Sequence, residues 1–221
     1  MTQFSYRWYD VRGRLPLGWS QEIAACAELA TQHILTPTSV SSREAFDVGE
    51  IRTLTVDGDA VQTHLPWLFN LYFGYFRELA QLSSSEPVCC AKLPIYAVNL
   101  NVQRGSQMRY EAHVDTNPIQ GILYLTSHPR GSGGELVVSS DEKARGMKAI
   151  DANAVEIFPE AGFFAVFDAR RHPHYVKQLR NSSAIRISAP MNFYTPSAPE
   201  ENRPTDLTPH LFGQKIRSAS S

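Results

Sequence analysis

Apolar residues in this chain recur at two spacings, helical for the most part before Pro94 and strand-like after it. From Ser20, a residue suited to capping, Ile23, Cys26, Ala27, Ala30 and Ile34 fall on one helical face. Glu22 adds early negative charge, and Pro37 supplies a stop. Ser39 to Phe46 is polar and predicts a loop, whereas Ile51 to Val56 alternates as a strand and ends on an Asp57-Gly58 turn. Leu65 to Leu82 predicts a second helix striped by Trp67, Leu68, Leu71, Tyr72, Tyr75, Phe76 and Leu79. Such a stripe reads as a face packed on the outside of a sheet, in preference to a cofactor box. Met1 to Pro16 mixes aromatics with charges and suits an edge strand or arm, and Ser83 to Pro87 reads as a linker.

Beyond Pro94 the alternation predicts strands over Ile95–Val102, Met108–Val114, Gln120–Thr126, Glu135–Val138, Ala154–Phe158, Phe163–Asp168, His174–Gln178 and Ile185–Tyr194. Short strands separated by Gly and Pro turns suggest a sandwich or barrel of antiparallel sheets. The fold class is therefore mainly β with N-terminal helices, which brace one sheet of a single domain spanning 1–221. Within it, 1–94 is a helical support, 95–194 the β core, and 195–221 a tail rich in Pro and Ser.

Composition narrows the function classes. A chain of 221 residues can bury roughly 70% of its unfolded surface, so its core needs no staples. The formal net charge of -1 leaves no footprint for nucleic acid or an anionic membrane. Cys26, Cys89 and Cys90 form neither a disulfide framework nor a CxxC metal spacing, which favours a reducing compartment. Met1 to Leu15 has no apolar signal-peptide region, and no apolar run approaches about 18 residues. The expectation is a soluble, cytoplasmic protein.

The chemistry concentrates in His113-Val114-Asp115. Residues two apart on a strand point to one side, so imidazole and carboxylate can converge on one ion. A distant second histidine would complete the 2-His-1-carboxylate facial triad of non-haem Fe(II) oxygenases. His172 and His174 share a strand face, and periodicity alone does not choose between them. Arg186, Ser188, Pro190, Asn192 and Tyr194 share another face. His33, His64, His128 and His210 lack partners at ligand spacing and read as structural or solvated.

Several segments then fall in a telling order. His113-Val114-Asp115 is followed by Tyr124-Leu125-Thr126, Gly133-Gly134-Glu135-Leu136, Phe167-Asp168, His174-Tyr175-Val176 and Arg186-Ile187-Ser188. From about Ile95 to Tyr194 this order resembles the iron(II)- and 2-oxoglutarate-dependent dioxygenases, especially their prolyl-hydroxylase-like branch. The resemblance implies a double-stranded β-helix, or jelly roll, with helices packed on one sheet. It implies His113, Asp115 and His174 as iron ligands, His174 being preferred because Tyr-Val follows it and Arg186 lies twelve residues on. It implies Arg186, helped by Ser188 and by Tyr124, as the anchor for the distal carboxylate of 2-oxoglutarate. A guanidinium fork suits that role through two parallel charge-assisted hydrogen bonds.

The implied cofactor set is Fe(II), 2-oxoglutarate as co-substrate, and O2. The implied reaction hydroxylates an unactivated C–H bond and releases succinate and CO2. Related halogenases carry a small residue in place of the carboxylate, so Asp115 points to hydroxylation. Asn192, Asn101, Arg109 and Asn117 are candidate substrate contacts, with Asn99 and Arg170 or Arg171 behind them. Their polarity suits a small molecule such as a free amino acid or derivative. The competing readings are a peptidyl-prolyl hydroxylase with the same chemistry and a non-catalytic jelly-roll binding module.

Overall fold

The computed structural model describes residues 4–35, 40–44, 51–205 and 207–212. The strands are β1 (Tyr6–Asp10), β2 (Thr31–Leu35), β3 (Ile51–Val56), β4 (Cys89–Cys90), β5 (Leu100–Arg104), β6 (Tyr110–His113), β7 (Ile119–Tyr124), β8 (Leu136–Ser139), β9 (Ala154–Ile157), β10 (Phe163–Phe167), β11 (His174–Val176) and β12 (Ile185–Tyr194). A major sheet runs β1-β10-β7-β12-β5-β3-β2, with the short β4 also paired to β12. A minor sheet runs β6-β11-β8-β9, and every strand pairing among the described residues is antiparallel. Mainly β architecture with a few helices is thus what the alternation predicts.

Period-2 alternation explains the layering. Ala189, Met191 and Phe193 of β12 turn to the helical side, where they join Leu68, Tyr72 and Phe76 in the largest apolar cluster. Arg186, Ser188, Pro190 and Asn192 turn to the opposite side and line a cavity. A second cluster fills the space between the sheets with Ile122 and Phe167 from the major sheet and Leu136, Val138 and Ile157 from the minor one. Ala112, Val137 and Tyr175 form a third cluster with Ile150. The minor sheet is thereby covered on both faces.

The helices are α1 (Trp19–Ala27), α2 (Gly58–His64), α3 (Pro66–Leu71), α4 (Arg77–Gln81), α5 (Pro94–Ala97), α6 (Met147–Asp151) and α7 (Leu207–Phe212). A π-helical turn, Tyr72–Phe76, joins α3 to α4 and makes the expected long helix continuous. Tyr72 at its start ties the helical layer to the sheet. Its hydroxyl donates to the Asn192 carbonyl at 2.6 Å and accepts from Ala91 N–H at 2.7 Å.

The structure corrects several sequence boundaries. The helix expected to reach Ile34 ends at Ala27, and Thr31–Leu35 is instead a strand in register with Ile51–Thr55. Thr31, His33 and Ile34 are poor continuations of a helix once an unpaired edge of β3 is available. Pro37, read as the stop, and part of the Ser39–Phe46 loop lie outside the described residues. Ile95–Val102 begins as the helical turn α5, since Pro94 takes the first helical position, and the strand starts at Leu100. Asp57, read as part of a turn with Gly58, caps α2, its carboxylate accepting from Ala60 N–H at 2.9 Å. The region 1–94 is not helical alone, because it contributes β1, β2, β3 and β4 to the major sheet. No described helix is long and apolar enough to cross a membrane.

Candidate functional site: a His-Asp-His group in the jelly-roll cavity

His113 closes β6 and His174 opens β11, and the two are direct partners across that antiparallel pair. Asp115 follows two residues after His113, its stretch pinned by Val114 N–H to Ser41 O at 2.9 Å and Asp115 N–H to Ala169 O at 3.0 Å. His113 Nε2 lies 3.2 Å from Asp115 Oδ1, and His174 Nε2 lies 3.8 Å from Asp115 Oδ2. The ligand atoms of all three lie within 4.8 Å of one another. Neighbouring donors on an octahedral ion, at about 2.1 Å each, stand roughly 3 Å apart, so small side-chain adjustments suffice to close the set on a metal.

The backbone decides which imidazole nitrogen is offered. His113 Nδ1 sits 2.8 Å from Glu111 O, and His174 Nδ1 sits 2.9 Å from His172 O. A carbonyl only accepts, so each Nδ1 carries the proton and each Nε2 is left as the ligand atom. His172 takes a different place. Its Nδ1 donates to Ser139 O at 2.9 Å and its ring meets Phe4 edge-on. Periodicity left the two histidines equal; the structure brings His174 to Asp115 and assigns His172 a supporting carbonyl.

Burial and mutual charge split the two imidazoles. Burial lowers the His113 pKa, but the hydrogen bond and charge of Asp115, with Glu111 behind it, outweigh that and raise it to about 9. Burial and the neighbouring His113 lower His174 to about 4. Burial also opposes the Asp115 carboxylate, and the two histidines overcome this and hold its pKa below the usual range. A ligating imidazole must be neutral, so a metal bound here would displace the proton that Asp115 holds on His113.

Arg186 stands deeper on β12, 2% exposed. Its Nη1 donates to Ser188 Oγ at 3.0 Å, and its guanidinium lies 5.6 Å from the centre of the Tyr124 ring. Arg186 Nε and the Tyr124 hydroxyl are among the buried polar atoms without a hydrogen-bond partner. No ion pair among the described residues includes Arg186. Burial lowers its pKa. A buried guanidinium without a carboxylate is costly, and it marks a place prepared for an anion.

The glycines of the Gly133-Gly134 motif explain how β8 approaches this arginine. Both have left-handed φ, +87° and +82°. A Cβ on Gly133 would stand 2.1 Å from Gln178 O, and one on Gly134 would stand 3.0 Å from Arg186 Cδ.

The remaining sequence candidates divide. Asn101, Asn117 and Asn192 line the cavity. Asn192 Nδ2 donates to Tyr96 O at 2.7 Å, and Asn117 Nδ2 donates to Ile119 O at 2.8 Å and Gln120 Oε1 at 3.0 Å. Arg109 is not among the lining residues. It is paired with Glu44 at 2.6 Å, and the same Glu44 oxygen accepts from Ala112 N–H at 2.7 Å, so the pair braces β6. Sequence reasoning missed Thr53 and Thr55 of β3, Gln103 of β5, and Leu207, Leu211 and Phe212 of α7, all of which line the cavity. The alternation of Ile51–Val56 places Thr53 and Thr55 on one face and was a usable signal. The tail carried none, because α7 is short and reaches the cavity only by folding back onto β2.

Neither a protein-family model nor a curated relative matches this sequence. Solved structures share its fold. AviO1 from Streptomyces viridochromogenes Tue57 is 15% identical with a TM-score of 0.63, the match covering 89% of this chain and 92% of that one. A prolyl hydroxylase from Trichoplax adhaerens, in complex with a hypoxia inducible factor peptide fragment, is 14% identical with a TM-score of 0.58, covering 90% and 87%. A 2OG-Fe(II) oxygenase family oxidoreductase from Burkholderia pseudomallei is 15% identical with a TM-score of 0.54, covering 86% and 84%. At these identities the shared property is the jelly-roll fold.

Proposed function

We propose that this chain is an Fe(II)- and 2-oxoglutarate-dependent oxygenase that hydroxylates an unactivated C–H bond of a small metabolite. The observation that carries the reading is the pairing, in one cavity, of the His113-Asp115-His174 group with the carboxylate-free Arg186. The donor set fits a hard-to-borderline divalent iron, and the guanidinium fits a dicarboxylate co-substrate. Fold likeness to oxygenases, one of them of the 2OG-Fe(II) oxygenase family, adds support.

In this reading His113 and His174 give Nε2 and Asp115 gives a carboxylate oxygen to the metal, with Glu111 O and His172 O holding the two rings in the required tautomer. Arg186 binds the distal carboxylate of 2-oxoglutarate, Ser188 orients one Nη, and the Tyr124 hydroxyl supplies a further donor. When bound, iron and 2-oxoglutarate supply the O2-dependent oxidation, with succinate and CO2 as by-products. The chain positions substrate beside that centre and keeps bulk water out through the apolar packing of Ile122 and Leu136. No side chain is assigned as a separate acid or base.

The fold likeness to a peptide-bound prolyl hydroxylase favours a second reading, a peptide or protein proline as substrate. Anaerobic addition of Fe(II) and 2-oxoglutarate tests the shared chemistry through its weak visible charge-transfer band. The expected result is a band in the parent protein and its loss in Arg186→Ala with metal binding retained. Its absence from the parent would remove both readings and leave the binding module.

A further inference from the structure

Resting on the oxygenase reading, we infer that the substrate is an uncharged small molecule recognised through hydroxyl or amide groups by Thr55 and Asn101, and not a free amino acid or other acid. Strand register places the recognition groups. Thr55 is opposite Asn101 across β3 and β5, Asn101 is opposite Ser188 across β5 and β12, and Ser188 is opposite Tyr124 across β12 and β7. The four residues form one transverse row on the major sheet. The Ser188–Tyr124 end meets Arg186 and belongs to the co-substrate. The Thr55–Asn101 end is left for another ligand.

The wall at that end is short of partners, and its groups are neutral hydroxyls and amides. Thr53 Oγ1 and Asn99 Oδ1 are buried, 4% and 8% exposed by residue, and have no hydrogen-bond partner among the described residues. Asn99 Nδ2 donates to Ile95 O at 3.3 Å, which fixes the amide so that the oxygen is the end left open. Half-buried Asn101 lines the cavity with no side-chain hydrogen bond among the described residues. Asn99 Oδ1 needs a donor, while the Thr hydroxyls and the Asn101 amide both donate and accept. A ligand carrying hydroxyl or amide groups therefore satisfies them. A carboxylate or phosphate would set its oxygens against Asn99 Oδ1 and would be desolvated there with no cation to offset it, which is unfavourable.

Charge leads to the same class. Among the described lining residues Arg186 is the sole lysine or arginine, and the co-substrate uses it. The lining acids are Asp115, committed to the metal, and Glu111, which has no exposed surface. An acid therefore finds no counter-cation and an amine no accessible counter-anion. Leu54, Leu211 and Phe212 add an apolar portion to the same cavity, so the fitting molecule is neutral and part apolar.

The test titrates the anaerobic Fe(II)–2-oxoglutarate complex with three kinds of probe: methyl glycosides and N-acetyl amino-acid amides as neutral hydrogen-bonders, free L-amino acids, and simple alkyl amines. A band with Fe(II) and 2-oxoglutarate alone establishes the underlying reading independently of any substrate. Neutral probes are expected to perturb that band and to stimulate succinate release in air. Asn101→Ala and Thr55→Val should weaken the neutral probe at least tenfold in the band titration while 2-oxoglutarate affinity stays within twofold and melting is unchanged. Perturbation by amino acids or amines in place of neutral probes overturns the inference, as does silence of every neutral probe, or a neutral-probe affinity untouched by both variants.

Discussion

His113 on β6 and His174 on β11 face each other as Cα partners, and their imidazole rings stand 4.3 Å apart at 56°. That single cross-strand pair joins two positions far apart in the chain, and Asp115 lies within reach of both. Removing any one of the three is expected to weaken Fe(II) or Mn(II) binding by at least one to two orders of magnitude. His172→Ala loses a hydrogen bond to Ser139 O and the edge contact with Phe4 but keeps the carbonyl that holds His174. Its loss of metal affinity should therefore stay below the roughly 10–100-fold typical of a ligand's direct partner. Calorimetric titration distinguishes these outcomes. Equal losses at His172 and His174 would reverse the assignment.

Arg186 is buried, donates to Ser188 Oγ and stands beside Tyr124, with no ion-pair partner among the described residues. Replacing a buried, uncompensated charge with an apolar side chain of similar length is often neutral or stabilising, by about 1–4 kcal/mol. Arg186→Met should therefore melt no lower than the parent in the absence of 2-oxoglutarate. It should also lose 2-oxoglutarate-dependent stabilisation while still gaining stability from metal. A large drop in melting temperature without added ligand would mean the guanidinium is a structural element and not an anion anchor.

Gly134 brings β8 against that arginine at a φ of +82°. Alanine there carries both a backbone penalty and a Cβ pressed 3.0 Å from Arg186 Cδ, and the expected cost is about 1–3 kcal/mol. Because the displaced group is Arg186, the apparent Kd for 2-oxoglutarate should rise several-fold while metal affinity is preserved. Chemical denaturation and the charge-transfer titration read the two effects separately. Unchanged 2-oxoglutarate affinity would contradict the proposed link between this glycine and the anchor.

Burial pushes the thiols of Cys26 and Cys90 up to about 11. Raised thiol pKa values mean less thiolate at neutral pH, about one part in a thousand at pH 8, growing tenfold per pH unit toward 11. Exposed Cys89 should accordingly be alkylated by iodoacetamide well before Cys26 and its own neighbour Cys90. Mass spectrometry of a timed alkylation series at pH 8 checks the order. Modification of Cys26 as fast as Cys89 would contradict the packing of α1.

The strands of the β core were legible because short apolar or alternating runs are separated by Gly and Pro turns. β12 shows this best, with Ile185–Tyr194 predicted and found over the same ten residues. The His-x-Asp pair was legible for a related reason, since a two-residue spacing on an extended chain decides convergence locally. The limits of α1 and the start of β5 were not, because pairing with β3 overrides weak helix propensity after Ala27 and Pro94 sets a helical turn ahead of Leu100.

By itself the sequence determined which residue types were available: two imidazoles, a carboxylate, a guanidinium, and the glycines that let backbone pass close to it. The strand period left His172 and His174 equal and the resemblance favoured His174, but only the tertiary structure shows which ring meets Asp115 across β6 and β11. It also decided that Arg109 braces Glu44, that Thr53 and Thr55 reach the cavity, and that Leu211 and Phe212 of the tail line it. Those relationships join residues distant in the chain through sheet register and helix docking, and no local spacing encodes them.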